Sequence, residues 1–97
     1  MAYELKSTVE FKKWLDGLRD SRAKVKISAR IDRAVTGNLG DWKTEQGEVK
    51  AMRIDYGPGY RLYYVLRNNT IIFLLCGGDK STQQADITRA IGLAKEV

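Results

Sequence analysis

The sequence predicts an α+β domain in the order β-α-α-β-β-β-α, a mostly antiparallel sheet with helices packed on one face. Three observations predict it. Three segments carry apolar residues at helical spacing, two of them behind a polar capping pattern. Three runs near the middle are rich in β-branched and aromatic residues and are joined by turn-forming sequences. The chain has 97 residues, 43% of them apolar, with one proline, enough for one core and too few for two. Residues 1–97 are therefore read as a single domain.

The opening "AYELKS" reads as a short strand. Ser7-x-x-Glu10 then forms a capping box, in which each side chain satisfies a backbone N–H left free at the helix start. Phe11, Trp14, Leu15 and Leu18 follow on one face, and "GLRDS" breaks the helix. A second helix runs from about Ser21 to Thr36 with Ala23, Ile27, Ile31 and Val35 on its buried side, and Gly37 suits its C-terminal cap. "GNLGDWKTEQGE" is a glycine-rich connection with a short extended piece near Trp42.

Strand-like runs at 48–56, 60–67 and 70–77 come next. "YGPGY" turns the first pair, and the two asparagines after Arg67 suit a turn that requires positive φ. The last helix spans 83–95, capped by Ser81-x-x-Gln84, with Ile87, Ala90, Ile91 and Ala94 toward the core.

Seventeen Lys and Arg against twelve Asp and Glu give a formal charge of +5, which suits an anionic partner or an ordinary basic protein. Residues 1–33 hold nine basic and five acidic residues, so most of the excess lies on the first helices. Lys24, Arg30 and Arg33 on the second helix are the expected docking cations, against the alternative of a solvated basic face. Cys76 has no partner for a disulfide and no histidine to activate it, and reads as a buried thiol in a reducing compartment. No signal-peptide core and no apolar run of roughly 18 residues is present, so the expectation is a soluble, cytoplasmic protein with no membrane contact.

The stretch "GYRLYYVLRNNTIIFLLCGGDKS" places an arginine in an otherwise apolar hairpin. With a two-residue Asn-Asn turn, Arg67 faces Thr70, Tyr64 faces Phe73 and Arg61 faces Cys76. Tyr60, Leu62, Tyr64, Leu66, Ile71, Phe73 and Leu75 would then lie under the helices. Arg61 would share the other face with Tyr63, Val65, Arg67, Ile72, Leu74 and Cys76, pointing off the main core. Arg53 joins Arg61 on one face if the intervening loop has five residues or a bulge, and lies opposite it if the loop has four. Two like charges on facing strands are favourable only with an anion between them. Lys80 follows "CGGD" where the strand ends, beside glycines that let a ligand approach the backbone.

"MRIDYGPGYRLYYVL" followed by "FLLCGGDKSTQQADI" resembles the RelE/ParE superfamily of bacterial toxins, and most of all its HigB-like branch, the addiction-module killer proteins. The likeness runs from Phe11-x-x-Trp14-Leu15 to the last helix and is specific at Gly-Tyr-Arg, 59–61, and Gly-Gly-Asp-Lys, 77–80. It implies a toxin of a type II pair, a cognate antitoxin of helix-turn-helix type, and ribosome-dependent cleavage of mRNA without a cofactor or metal. It also implies that Arg61 contacts the scissile phosphate, with Lys80 as the basic residue after the last central strand and Arg53 as the cation on the preceding strand. Cations placed in advance would stabilise the charge that develops when a ribose 2′-OH attacks its phosphate.

The chain departs from that pattern early in the last helix, where many members carry a histidine or tyrosine and this one reads Ser81-Thr82-Gln83-Gln84-Ala85-Asp86. Asp86, Asp79 and Tyr63 are the proton carriers available. Neither histidine nor a tight carboxylate cluster is present to hold a metal. Two other readings follow from the same residues: a toxin of this fold that inhibits DNA gyrase by binding, and a basic module for an acidic protein partner.

Overall fold

The computed structural model describes residues 2–97. The elements are β1 (Glu4–Ser7), α1 (Val9–Asp16), α2 (Ser21–Val35), β2 (Trp42–Gln46), β3 (Val49–Ile54), β4 (Tyr60–Arg67), β5 (Ile71–Asp79), a 3-10 turn (Lys80–Thr82) and α3 (Gln83–Ala94). The α+β class is as expected. The strands form one sheet in the order β1-β5-β4-β3-β2, with β1 parallel to β5 and the other pairs antiparallel. The extended piece near Trp42 is a full strand, β2, at the sheet edge, so the sheet has five strands.

Helix α1 starts one residue later than the Ser7 capping box implies. Thr8 is the cap: its hydroxyl oxygen accepts from the Phe11 N–H at 3.0 Å and its hydroxyl donates to the Leu75 carbonyl at 2.6 Å. The second contact explains the choice, because it fastens the helix start to β5. Asp20 caps α2, accepting from the N–H groups of Arg22 and Ala23. The start of α3 differs too. Asp79 caps the 3-10 turn through the Ser81 N–H, and Thr82, the residue before α3, makes no capping bond.

The pairing of β4 with β5 overturns the expected register. Asn68 and Asn69 have φ of 54° and 55°, as the turn requires, yet Arg67 pairs with Ile71 and Tyr64 with Leu74. The connection is thus three residues long. A bulge at Leu75 then resets the count, so Tyr63 pairs with Cys76, and Arg61 faces Gly78 in place of Cys76. A one-residue slip sends every side chain to the other face. Ile72 and Leu74 therefore point to α1 and α2, while Leu75 and Cys76 both point to α3.

Each sheet face has its own core, which corrects the single helical face expected from the sequence. Phe11, Ala23, Ile27, Ile31 and Ala34 cover Met52, Ile54, Leu62, Tyr64, Ile72 and Leu74. On the other side Ile87, Ala90, Leu93 and Ala94 of α3 cover Val49, Ala51, Tyr63, Val65, Leu75 and Cys76. The reason is that both faces of β3 to β5 are apolar, and a fully buried large apolar side chain contributes about 1.5–3 kcal/mol. The end of α3 is fixed by Arg67, whose Nη2 donates to the Ala94 carbonyl at 2.8 Å while Nη1 meets Glu48 Oε1 at 2.6 Å. At its middle, Arg89 forks onto Glu10 of α1, with Nη2 2.6 Å from Oε1.

Candidate functional site

Arg53 and Arg61 are direct cross-strand partners, and the loop between Ile54 and Tyr60 has the five residues that this arrangement needs. Both side chains lie on the α3 face, in the row that β5 completes with Gly78. Lys80 joins them from the 3-10 turn. Its aliphatic stem lies on Gly59, where a Cβ would come within 3.2 Å of Lys80 Cε and where φ is +80°. The glycine of Gly-Tyr-Arg thus serves both the turn and the close approach of Lys80. The three cations line one open cleft of about 320 Å³, together with Asp41, Ile54, Asp55, Gly59 and Tyr60.

Their environments differ. Arg61 is only 8% exposed, its Nε has no partner among the described residues, and Nη1 makes one long bond, 3.4 Å, to the Gly59 carbonyl. The sequence put it on an open face. In fact α3 covers that face along Tyr63 and Val65, and Arg61 lies at the rim of the second core. Arg53 is more exposed and is held by Asp41, whose Oδ1 accepts from Nη2 at 2.7 Å and from Nε at 3.3 Å. This bond raises the Arg53 pKa and holds the Asp41 carboxyl below its ordinary range. Lys80 forms no ion pair among the described residues.

None of the proton carriers read from the sequence lines the cleft. Tyr63 is fully buried, its hydroxyl has no partner among the described residues, and burial pushes its phenol far above the usual value. Asp79 accepts from both the N–H and the hydroxyl of Ser81, so the helix start beside Lys80 already holds an anion. Asp86 lies against Gly78, accepts from the Thr82 hydroxyl, and has its carboxyl raised by burial, with Asp79 and Glu10 adding to the shift.

The docking cations fare differently again. α2 packs on the sheet face opposite the arginine pair, so Lys24, Arg30 and Arg33 do not extend the cleft. Lys24 donates to the Asp16 carbonyl at 3.0 Å, and Arg33 borders a shallow depression with Lys26 and Tyr56. Arg30 is no docking residue. It is 6% exposed and donates to the carbonyls of Arg53 at 2.6 Å, Asp41 at 2.7 Å and Leu39 at 2.9 Å. Burial depresses its pKa, and it lies against Gly40, where φ is +63° and a Cβ would meet Nε at 2.7 Å. A signal for this was present: Arg30 follows Ala23 and Ile27 by seven and three residues, on the buried stripe of α2. Asp41 was missed because nothing in a glycine-rich connection marks one carboxylate.

Among solved structures, the chain matches the Escherichia coli toxin RelE, a mutant in the free state. The TM-score is 0.76 at 17% identity, over 95% of this chain and 97% of that one. The chain has the RelE fold. A second RelE-fold match is to the toxin–antitoxin complex RelBE2 of Mycobacterium tuberculosis, with TM-score 0.67 and 18% identity over 82% of this chain and 100% of that one. A Haemophilus influenzae protein, itself described only as uncharacterized, is 47% identical over 97 residues, covering 100% of this chain and 98% of that one. The chain belongs to one family with that protein, and no family model matches it. Among the described residues no helix is long and apolar enough to cross a membrane.

Proposed function

We propose that this protein is the toxin of a type II toxin–antitoxin pair and cleaves mRNA on the ribosome, as a HigB-like endoribonuclease. The observation that carries the reading is the convergence of Arg53, Arg61 and Lys80 in one cleft, with two guanidinium groups paired across strands on one face. Asp41 already neutralises Arg53, while Arg61 and Lys80 form no ion pair among the described residues, and a phosphodiester supplies the anion that balances them.

The chemistry follows from the charges. The ribose 2′-oxygen forms a bond to phosphorus as the bond to the 5′-oxygen breaks, leaving a 2′,3′-cyclic phosphate and a 5′-hydroxyl. Negative charge grows on the non-bridging oxygens during the step, where Arg61 and Arg53 stabilise it, and Lys80 neutralises the leaving side. Holding the RNA in line supplies much of the remaining acceleration. One proton must leave the 2′-hydroxyl and one must reach the 5′-oxygen. Asp86, Asp79 and Tyr63 lie outside the cleft, so water or the ribosome carries these protons in this reading.

The partners of such a toxin are ribosome-bound mRNA and an antitoxin of helix-turn-helix type, and its place is the cytoplasm. The fold match to a toxin–antitoxin complex supports an antitoxin partner. The missing proton carrier is the one observation that favours the second reading, a toxin that inhibits DNA gyrase by binding alone. Translation in vitro followed by primer extension separates the two. Cuts within codons that need ribosomes support the nuclease, and intact mRNA with inhibited supercoiling supports gyrase.

A further inference from the structure

Asp41 was absent from the residues read as functional, yet it occupies the rim of the cleft beside all three arginines of this region. Its carboxylate takes the side edge of the Arg53 guanidinium, Nε and Nη2, through one oxygen. Nη1 makes no hydrogen bond among the described residues, and it belongs to the other edge of the fork. The Asp41 backbone cannot swing away. Its carbonyl accepts from the Arg53 N–H at 2.8 Å and from the buried Arg30 at 2.7 Å. Arg30 also grips the Arg53 carbonyl, so one buried guanidinium sets the main chains of both members of the ion pair.

We infer that Asp41 is a positioning residue, held by Arg30, that aims the free edge of Arg53 into the cleft and so confines a tetrahedral anion between Arg53, Arg61 and Lys80. The inference rests on the phosphate-binding reading of the cleft. A second role follows from the sign of its charge. A carboxylate inside an anion site weakens ground-state binding, so Asp41 trades affinity for orientation. Free of it, Arg53 would follow the phosphate wherever the phosphate sat.

The distinguishing variants are Asp41→Asn and, as a charge control, Asp55→Asn. Asp55 lines the same cleft and forms no ion pair among the described residues. Asp41 is exposed at the surface, so both proteins should fold. Two readouts need no RNA cleavage: the NMR signal of the Arg53 Nε–H, and titration with inorganic phosphate. In the parent and in Asp55→Asn that signal should be sharp and slow to exchange with water, and in Asp41→Asn it should be exchange-broadened. Phosphate should bind about fivefold tighter to both variants, since each removes one nearby negative charge.

The third readout is cleavage of mRNA on programmed ribosomes. Asp41→Asn should lower kcat about tenfold or more while lowering KM, the pattern of lost orientation with gained affinity. A sharp Arg53 signal in Asp41→Asn, or unchanged kcat and KM, overturns the inference. If the parent protein cuts no mRNA, the nuclease reading fails. The Nε–H signal then still decides the role of Asp41, and the phosphate titration reports only the charge removed.

Discussion

Arg53 and Arg61 stand side by side across β3 and β4, on one face of the sheet, and only Arg53 holds a carboxylate, Asp41, among the described residues. The Asp41 carboxylate accepts from Arg53 and not from Arg61. Arg61 is left nearly buried, its Nε without a partner among the described residues. A buried donor without a partner costs about 1–3 kcal/mol, and Arg30 Nε and the Tyr63 and Tyr64 hydroxyls share that state with Arg61 among the described residues. What sets Arg61 apart is its place beside Arg53 in the cleft, which fits the proposed anion site.

Arg61→Met tests that reading directly. Methionine fills the same space without a charge, so the variant should be more stable than the parent by about 1 kcal/mol, read by urea unfolding. Ribosome-dependent cleavage should fall about a hundredfold or more, the scale for losing one placed transition-state donor. Arg61→Lys should restore only part, lacking the planar fork. A destabilised Arg61→Met protein with full activity would make the arginine structural.

The second buried arginine should respond with the opposite sign. Arg30→Met strands three carbonyls that the guanidinium now satisfies at 2.6, 2.7 and 2.9 Å. The expected loss is about 3 kcal/mol or more. Arg33→Met, on the same helix but exposed, should change stability by less than about 0.5 kcal/mol. Equal effects of the two substitutions in urea would refute the brace.

Helix periodicity and turn residues carried most of the architecture. Phe11, Ala23, Ile27 and Ile87 are buried where their spacing put them. The register of the last hairpin was not legible, because two asparagines at positive φ fit a two- or a three-residue connection equally. A bulge at Leu75 leaves no mark in an unbroken apolar run such as "IIFLLC". The single helical face failed for the same reason: Val65 and Leu66 are both apolar, so the alternation that would reveal a solvent face is missing. For the cleft, Gly-Tyr-Arg and Gly-Gly-Asp-Lys pointed to Arg61 and Lys80, which the structure brings into one cleft. Whether Arg53 joined them depended on one residue of loop length, and on α2 only the spacing of Arg30 from Ala23 and Ile27 separated it from Arg33.

Cys76 should be inert in the native protein. It is 3% exposed, its thiol faces the Asp86 carbonyl at 3.6 Å, and burial raises its pKa to about 12. The reactive thiolate is therefore scarce at pH 8. Reaction with a chromogenic disulfide reagent should run about a thousandfold slower than in urea, since it must wait for opening of the core around α3. Rapid native labelling would show that α3 does not close that face.

Asp86 supplies a pH signature of its own. Burial raises its carboxyl above the ordinary 3.8, Asp79 and Glu10 add to the rise, and the Thr82 hydroxyl only partly offsets it. Tyr63 and Cys76, the other titrating groups coupled to Asp86 on that side of the sheet, stay protonated at neutral pH because burial raises both. The folded state thus binds the Asp86 proton more tightly than the unfolded chain does. Its ionised form is a penalty on folding, fully present above the raised pKa. The penalty fades as the pH falls through that pKa and is gone only below about 3.8, where the unfolded chain is protonated too. Asp86→Asn mimics the protonated form, so it should be the more stable protein at pH 7, with the difference shrinking on acidification and vanishing below about pH 3.8. Melting temperatures of the two proteins across pH 3.5–7.5 measure this. A parent protein that is more stable than Asp86→Asn at pH 7 would mean that the start of α3 favours the anion more than burial disfavours it.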